Sequence, residues 1–164
     1  MTPKSLRVIG IDPGYERLGI AIIERSGKQT DRLIFSECFK TSAKLTFPER
    51  LLLLGQEIAR VLKECEPQVM GIETLFLDNN HKSAMFVSEA RGVIEYEAAK
   101  HGLTICQYSP MQIKSATTGY GHSEKAQVTA MIPKLIKIEK AIAHDDEYDA
   151  IACAITCLAS YRAG

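Results

Sequence analysis

Four acidic side chains stand out because each ends or opens an apolar segment: Asp12, Glu73, Asp146 and Asp149. The first follows the apolar run 8–11, and the second follows the apolar run 69–72. The last two lie three residues apart, directly before the largely apolar stretch 150–158. A carboxylate at the border of a buried segment is costly unless its charge is compensated. Carboxylate oxygens are ligands that Mg²⁺ and Mn²⁺ prefer, so the four acids are candidate ligands of such a cation.

Each acid also has an ordinary structural explanation. Asp12 stands before a Pro-Gly pair, and aspartate is common at the start of such turns. Asp146 and Asp149 would lie in the first turn of a helix, where the helix dipole favours negative charge. Their neighbours His144 and Asp145 could contribute to the same site, the former by assisting proton transfer. These alternatives stay open on the residues alone.

The chemistry of the acids depends on whether the fold brings them together. Without a cation, four converging carboxylates would repel one another and raise one another's pKa. One or two bound divalent cations would remove that repulsion, and such ions activate a water and stabilise the leaving oxygen of a phosphodiester. If the fold brings them together, the acids therefore indicate metal-dependent phosphodiester hydrolysis.

The elements that must position these acids can be predicted from the apolar pattern. Strands are predicted over residues 7–11, 18–24, 32–40, 69–73 and 103–108. Helices are predicted from about residue 48 to 65 and over 83–100, 110–115, 123–137 and 146–161, with a Gly-rich loop at 117–121. The first three strands predict an antiparallel meander to which the last two add in parallel, in an α/β fold with a five-stranded mixed sheet flanked by helices. If the first and fourth strands are neighbours, Asp12 and Glu73 emerge at the same edge of that sheet.

Bulk properties are those of an ordinary globular protein. The 164 residues predict a single domain, residues 1–164. The net charge is zero, so nucleic-acid binding has no global support and must rest on local patches. Five scattered cysteines predict reduced thiols and a cytoplasmic protein. No apolar run approaches 18 residues, which predicts no membrane contact.

Six short motifs follow one another along the chain: Gly10-Ile11-Asp12-Pro13-Gly14, Ile72-Glu73-Thr74-Leu75-Phe76, Glu89-Ala90-Arg91-Gly92, Lys114 with Gly119-Tyr120-Gly121, Lys125-Ala126-Gln127-Val128, and Asp146-x-x-Asp149-Ala150-Ile151-Ala152. In this order and at these spacings they resemble the RuvC-type Holliday junction resolvases, from about residue 7 to 160. Each motif alone is weak, and the specificity lies in the ordered set. The resemblance implies a ribonuclease-H-like fold and an endonuclease that resolves four-way DNA junctions by paired symmetric nicks in recombination and repair.

The resemblance also implies cofactors and partners. Carried over motif by motif, Asp12, Glu73, Asp146 and Asp149 would be the catalytic, metal-binding acids. They would hold Mg²⁺, for which Mn²⁺ can substitute, with one or two ions in each active site. The partners would be a four-way DNA junction, a second copy of the chain, and a branch-migration complex of a junction-binding protein and a helicase motor.

Further residues acquire expected roles by the same resemblance. Phe76 would stack on an unpaired base, although an aromatic residue there could also close the edge of the core. Lys114 and Lys125 would contact phosphates. The helix over 83–100 is apolar on more than one side, which predicts two packing partners. Its expected dimer-interface residues are Met85, Phe86, Arg91 and Gly92.

Three other functions compete with junction resolution. The Gly-x-Asp-x-Gly hairpin also resembles that of the pre-ribosomal-RNA nuclease family, although Glu73 followed by Phe76, and the long second helix, argue against that family. The same hairpin resembles the phosphate loop of actin-like and sugar-kinase ATPases, which need two such domains. A non-catalytic junction-binding protein is the third alternative, and the four acids argue against it.

Overall fold

A five-stranded mixed sheet forms the centre of the protein. The structure, a computed structural model, describes residues 5–27, 30–75 and 81–161, apart from the side chain of His81. Its strands are β1 (Leu6–Asp12), β2 (Arg17–Arg25), β3 (Arg32–Lys40), β4 (Val69–Glu73) and β5 (Thr104–Tyr108). They lie in the order β3-β2-β1-β4-β5, with β1, β2 and β3 antiparallel and β4 and β5 added in parallel. This arrangement confirms the predicted sheet.

Helices cover both faces of the sheet. They are α1 (Phe47–Cys65), α2 (His81–Lys100), α3 (Pro110–Thr118), α4 (Lys125–Leu135) and α5 (Asp145–Ser160). The first begins where expected because Pro48 lies in its first turn and the carboxylate of Glu49 accepts a hydrogen bond from the backbone of Thr46. Within the described ranges, no helix is long and apolar enough to cross a bilayer.

The central strands are buried on both faces, which explains their continuous apolar runs. On β1, Val8 faces a core built around α5, whereas Ile9 and Ile11 face a second core formed with α1 and α2. The alternation follows the two-residue period of a strand. Each face of the sheet therefore has its own hydrophobic core. The ends of the central strands lie at the sheet edge between the two cores.

Helix α5 lies in backbone contact with the sheet at positions where the strands carry glycine. A Cβ atom added to Gly10 would lie 2.1 Å from the carbonyl oxygen of Ala150, and one added to Gly19 would lie 2.1 Å from that of Asp146. A Cβ added to Gly71 would lie 2.9 Å from the Cβ of Cys157. These glycines on β1, β2 and β4 set the depth of α5 and hold its first turn close to the end of β1.

The region after β5 differs from the predicted boundaries. Helix α3 continues through Thr118 instead of giving way to a loop at 117. It ends there because Gly119 adopts a φ of 81° and its backbone N–H donates to the carbonyl of Ser115. Helix α4 ends at Leu135 instead of 137, because Lys137 pairs with the start of β3 in extended conformation.

Candidate active site

Asp12 and Glu73 lie at the ends of two neighbouring parallel strands. The register of β1 and β4 pairs Ile11 with Ile72, so the following residue of each strand is one of the two acids. Carboxyl ends of parallel neighbours meet at the same sheet edge. The adjacency of the first and fourth strands, on which the predicted site depends, is therefore present.

The carboxyl of Asp12 is the most perturbed acid of this edge. Its pKa is raised from 3.8 to about 8, first by burial and then by the negative charges of Asp149, Glu73 and Asp146. Without a compensating cation, Asp12 is therefore largely protonated at neutral pH. The structure thus brings the four predicted acids within electrostatic reach of one another.

Glu73 opens onto a cavity of about 270 Å³. Asp149, Lys114 and Lys125 line the same cavity. Burial and the charge of Asp149 raise the pKa of Glu73, and the two lysines oppose that rise. Acids and lysines therefore share one concave surface, which suits a ligand that brings both negative charge and a cation.

The two acids of α5 are each held by a basic side chain. Arg17 Nε donates to Asp146 Oδ2 at 2.9 Å, and its Nη2 donates to the same oxygen. The Cys38 thiol donates to that oxygen at 3.4 Å. Burial would raise the pKa of Asp146, but the hydrogen bonds from Arg17 and Cys38 lower it. Lys125 Nζ lies 2.9 Å from Asp149 Oδ2.

The acids fit a hard divalent cation by their chemistry. Within residues 5–27, 30–75 and 81–161, no three His, Cys, Asp or Glu side chains are grouped closely enough to enclose a metal ion. Asp146 and Asp149 are paired with Arg17 and Lys125 instead. The donor set is nevertheless entirely carboxylate oxygen, and a positive charge beside Asp12 would relieve the repulsion that raises its pKa.

Comparison with known proteins identifies the family. The model of the family described as crossover junction endodeoxyribonuclease RuvC matches residues 8–157. The chain belongs to the RuvC family. The RuvC of Thermosipho melanesiensis is 40% identical over 94% of this chain and 97% of its own length. That of Desulfitobacterium hafniense is 38% identical over 90% of this chain and 89% of its own.

Solved structures agree with this assignment. Thermus thermophilus RuvC in complex with a Holliday junction substrate has a TM-score of 0.87 and 30% identity, covering 93% of each chain. The yeast mitochondrial Holliday junction resolvase shares the fold, with a TM-score of 0.69 at 12% identity. The matches confirm the ribonuclease-H-like fold and the class of metal-dependent DNA endonucleases. They do not favour the RNA nuclease, ATPase or non-catalytic alternatives.

Of the residues expected to contact DNA or a second subunit, some lie beside the acids and others are exposed on α2. Lys114 and Lys125 line the cavity beside the acids. Phe76 lies outside the described residues. On α2, Met85 is 64% exposed. Gly92 is also exposed, and a Cβ added there would meet nothing within 4 Å, so no backbone of the described chain approaches it.

The other two expected interface residues have contacts within the chain. Phe86 packs against Phe47, with ring centroids 4.5 Å apart, and against Tyr15 at 5.4 Å. Arg91 lies 2.8 Å from Glu95 on the next turn of α2. The apolar arc of α2 is therefore partly used against the chain's own core.

Sequence reasoning missed Arg17 as a member of this site. Only its place in the hairpin between Gly14 and Gly19 marked it, and basic residues in hairpins are commonly solvated. Its pairing with Asp146 joins residues that lie 129 positions apart. Such a contact depends on how α5 crosses β2, which no local pattern specifies.

Proposed function

We propose that this chain resolves four-way DNA junctions by symmetric, paired nicks in homologous recombination and repair. The observation that supports the proposal is that Asp12, at the end of β1, lies within electrostatic reach of the three other acids, beside a cavity lined by two lysines, in a chain of the RuvC family. The Thermus relative solved with a Holliday junction supports the choice of substrate.

Asp12, Glu73, Asp146 and Asp149 are the proposed ligands of one or two Mg²⁺ ions, with Mn²⁺ as a substitute. Such ions supply an activated water as nucleophile and stabilise the leaving oxygen of the phosphodiester. Asp12 must lose its proton to become a ligand, since its pKa is about 8 in the metal-free site.

The basic residues of the edge act on the DNA. Lys114 and Lys125 line the cavity next to Glu73 and are proposed to contact phosphates of the cleaved strand. Phe76, which follows Glu73 by three residues, is proposed to stack on an unpaired base. Lys114 and Lys125 provide a local positive charge for the proposed DNA contact in a chain whose net charge is zero.

Cleavage of a mobile four-way junction tests the proposal. In Mg²⁺, the unaltered protein is expected to give paired nicks on the junction and none on a linear duplex. Asp146→Asn is expected to lose cleavage by on the order of 100- to 1,000-fold while still binding the junction. The readouts are denaturing gels for nicking and mobility shifts for binding.

Asp145→Asn is the matched control for that variant. Asp145 directly precedes Asp146, but its side chain is 79% exposed and lies 3.6 Å from Lys125. It should retain cleavage within a few-fold. A junction that is bound but never cleaved in Mg²⁺ or Mn²⁺ would contradict the enzyme assignment and favour a binding protein.

A two-fold dimer is proposed because paired nicks on opposed strands need two sites related by symmetry. The interface would include the face of α2 that carries Met85 and Gly92, with Phe86 and Arg91 beside it. The branch-migration complex of a junction-binding protein and a helicase motor is proposed as a further partner, and the cytoplasm as the location.

Met85→Glu is expected to weaken the dimer by about 100-fold or more, because an unpaired charge buried in an interface costs on the order of 3–5 kcal/mol. Sedimentation over a range of protein concentrations measures the change. Met111→Glu is the control, since Met111 is a 53% exposed methionine on α3. If both variants dimerise as strongly as each other, α2 does not form the dimer interface.

A further inference from the structure

Glu147 is a buried acid that the proposed reaction does not use. Its side chain is only 5% exposed. Its Oε1 accepts hydrogen bonds from the hydroxyl of Ser36 at 2.8 Å and from Lys140 Nζ at 3.0 Å. Its Oε2 accepts from the backbone N–H groups of Ala143 at 3.1 Å and His144 at 3.2 Å. Both oxygens of the carboxylate are therefore fully engaged.

These bonds join three parts of the chain that are distant in sequence. Ser36 lies on β3, Lys140 lies in the segment between α4 and α5, and Glu147 lies in the first turn of α5. Lys140 Nζ also donates to the backbone carbonyl of Ser36 at 2.6 Å. The first turn of α5 is thereby tied to the edge strand of the sheet.

We propose that Glu147 is a positioning residue that holds Asp146 and Asp149 where they can bind the cation. This inference rests on the proposed function of those two acids. Glu147 lies between them in sequence, but its carboxylate bonds to Ser36 on β3. The charges of Asp146 and Asp149 instead act on Asp12 at the end of β1. Because all three share one helical turn, movement of that turn displaces both acids.

The same turn is fixed from a second side. The carbonyl oxygen of Asp146 lies over Gly19 so closely that a Cβ there would be 2.1 Å away. Gly19 thus sets how deeply the turn sits in the sheet, and Glu147 prevents it from moving along or away from β3. Groups that orient metal ligands in this way commonly change metal affinity by 10- to 100-fold when they are removed.

Glu24 offers a matched comparison. It is also a buried glutamate, 6% exposed, and it accepts hydrogen bonds from Arg7 at 2.8 Å and from Arg32 at 2.9 Å. It lies near the opposite end of β2 from Gly19, away from the acids. Loss of Glu24 should therefore cost stability without moving the first turn of α5.

Mn²⁺ affinity of the full-length protein without DNA, measured by calorimetry or electron paramagnetic resonance, is the decisive readout. Glu147→Gln preserves volume but replaces one carboxylate oxygen by an NH2 group, which cannot accept a hydrogen bond. Either the two backbone N–H groups or Ser36 and Lys140 therefore lose their acceptor. Its Mn²⁺ dissociation constant is expected to rise about tenfold. Glu24→Gln is expected to lower the melting temperature about as much as Glu147→Gln does. Its Mn²⁺ affinity should stay within twofold of that of the unaltered protein.

Cleavage kinetics provide a second measurement. In Glu147→Gln, the half-saturating Mg²⁺ concentration should rise by about the same factor, while junction affinity is unchanged. Lys140→Met, which keeps the aliphatic stem and removes the ammonium from Glu147, should shift Mn²⁺ affinity in the same direction by a smaller factor. Because Lys140 is exposed, Lys140→Met is the alternative test of the proposal if Glu147→Gln does not fold.

Three outcomes would overturn the inference. Mn²⁺ affinity of folded Glu147→Gln within twofold of the unaltered protein would do so, as would unchanged affinity in Lys140→Met if the first variant does not fold. Equal weakening by Glu24→Gln would reduce the role of Glu147 to general stability. Failure of the proposed metal site gives a different result. The unaltered protein itself would then bind no Mn²⁺, and both the proposed function and the role of Glu147 would be contradicted.

Discussion

Asp12→Asn is expected to abolish junction cleavage and at the same time to stabilise the metal-free protein. Asparagine keeps the size of the side chain but cannot ionise, so it neither binds a divalent cation strongly nor repels Asp149, Glu73 and Asp146. Cleavage should fall by at least about 100- to 1,000-fold. The free energy of unfolding at pH 8 should rise by about 1–3 kcal/mol, measured by urea denaturation in a chelator.

The pH dependence of that stabilisation has a definite sign. The pKa of Asp12 is about 8 in the folded protein and near the ordinary 3.8 when unfolded, so the folded state holds the proton more tightly. The free energy of unfolding of the metal-free protein should therefore fall between about pH 4 and 8, with a slope from this group of at most about 1.4 kcal/mol per pH unit. Asp12→Asn should lack this slope.

Mg²⁺ should offset the loss of stability at high pH in the unaltered protein but not in Asp12→Asn. A cation that binds the folded state stabilises it by mass action, and it competes with the proton on Asp12. The apparent Mg²⁺ affinity should consequently increase as the pH rises toward 8. Asp145→Asn, altered at an exposed acid, should keep both the pH slope and the response to Mg²⁺. A destabilised Asp12→Asn protein would show that Asp12 is held by favourable contacts instead of being opposed by repulsion.

The placement of Asp12 and Glu73 was predictable because it follows from a local pattern and one topological assumption. Apolar runs mark where β1 and β4 end, and parallel pairing of neighbours then brings the following acids to one edge. The pair Asp146 and Asp149 was marked by helical spacing before an apolar helix. These features depend on chain periodicity, which the amino-acid pattern carries directly.

The partners of the acids were not predictable in the same way. Arg17 meets Asp146, and Ser36 meets Glu147, across 129 and 111 positions of the chain. Neither pair has a spacing that a helix or strand would reveal, since each depends on the crossing of α5 over the sheet. Glu147 has no acid at helical spacing that would mark it, and an acid in the first turn of a helix is ordinarily explained by the helix dipole.

The apolar pattern of α2 is explained in part by contacts within the chain. Apolar residues on more than one side of α2 predicted two packing partners. The described chain supplies one of them, since Ala90 and Ile94 are buried in the core that α1 shares. Phe86 extends that contact toward Tyr15. Met85 is left exposed, so the proposed dimer face is narrower than the apolar pattern of α2 indicated.

Gly19→Ala is expected to damage the active site although no functional group is removed. The new Cβ would lie 2.1 Å from the carbonyl oxygen of Asp146 and 3.0 Å from the Cβ of Asp12. Because both neighbours belong to packed backbone elements, the first turn of α5 must move away from β2. Overpacking of this kind costs about 3 kcal/mol, which lowers the melting temperature by about 6–12 °C.

Displacement of that turn separates Asp146 from Asp12, so Mn²⁺ affinity and cleavage should both fall, by about tenfold or more. Gly55→Ala is the matched control on the opposite sheet face. Gly55 lies inside α1, and a Cβ there would contact a methyl group of Val93 on α2 at 3.1 Å. The Gly55→Ala protein should keep its stability within about 1 kcal/mol and its cleavage unchanged. Full metal affinity in folded Gly19→Ala would mean that the acids tolerate movement of α5. Backbone contact between α5 and the sheet would then not set their geometry, and it would not explain the glycine at this position.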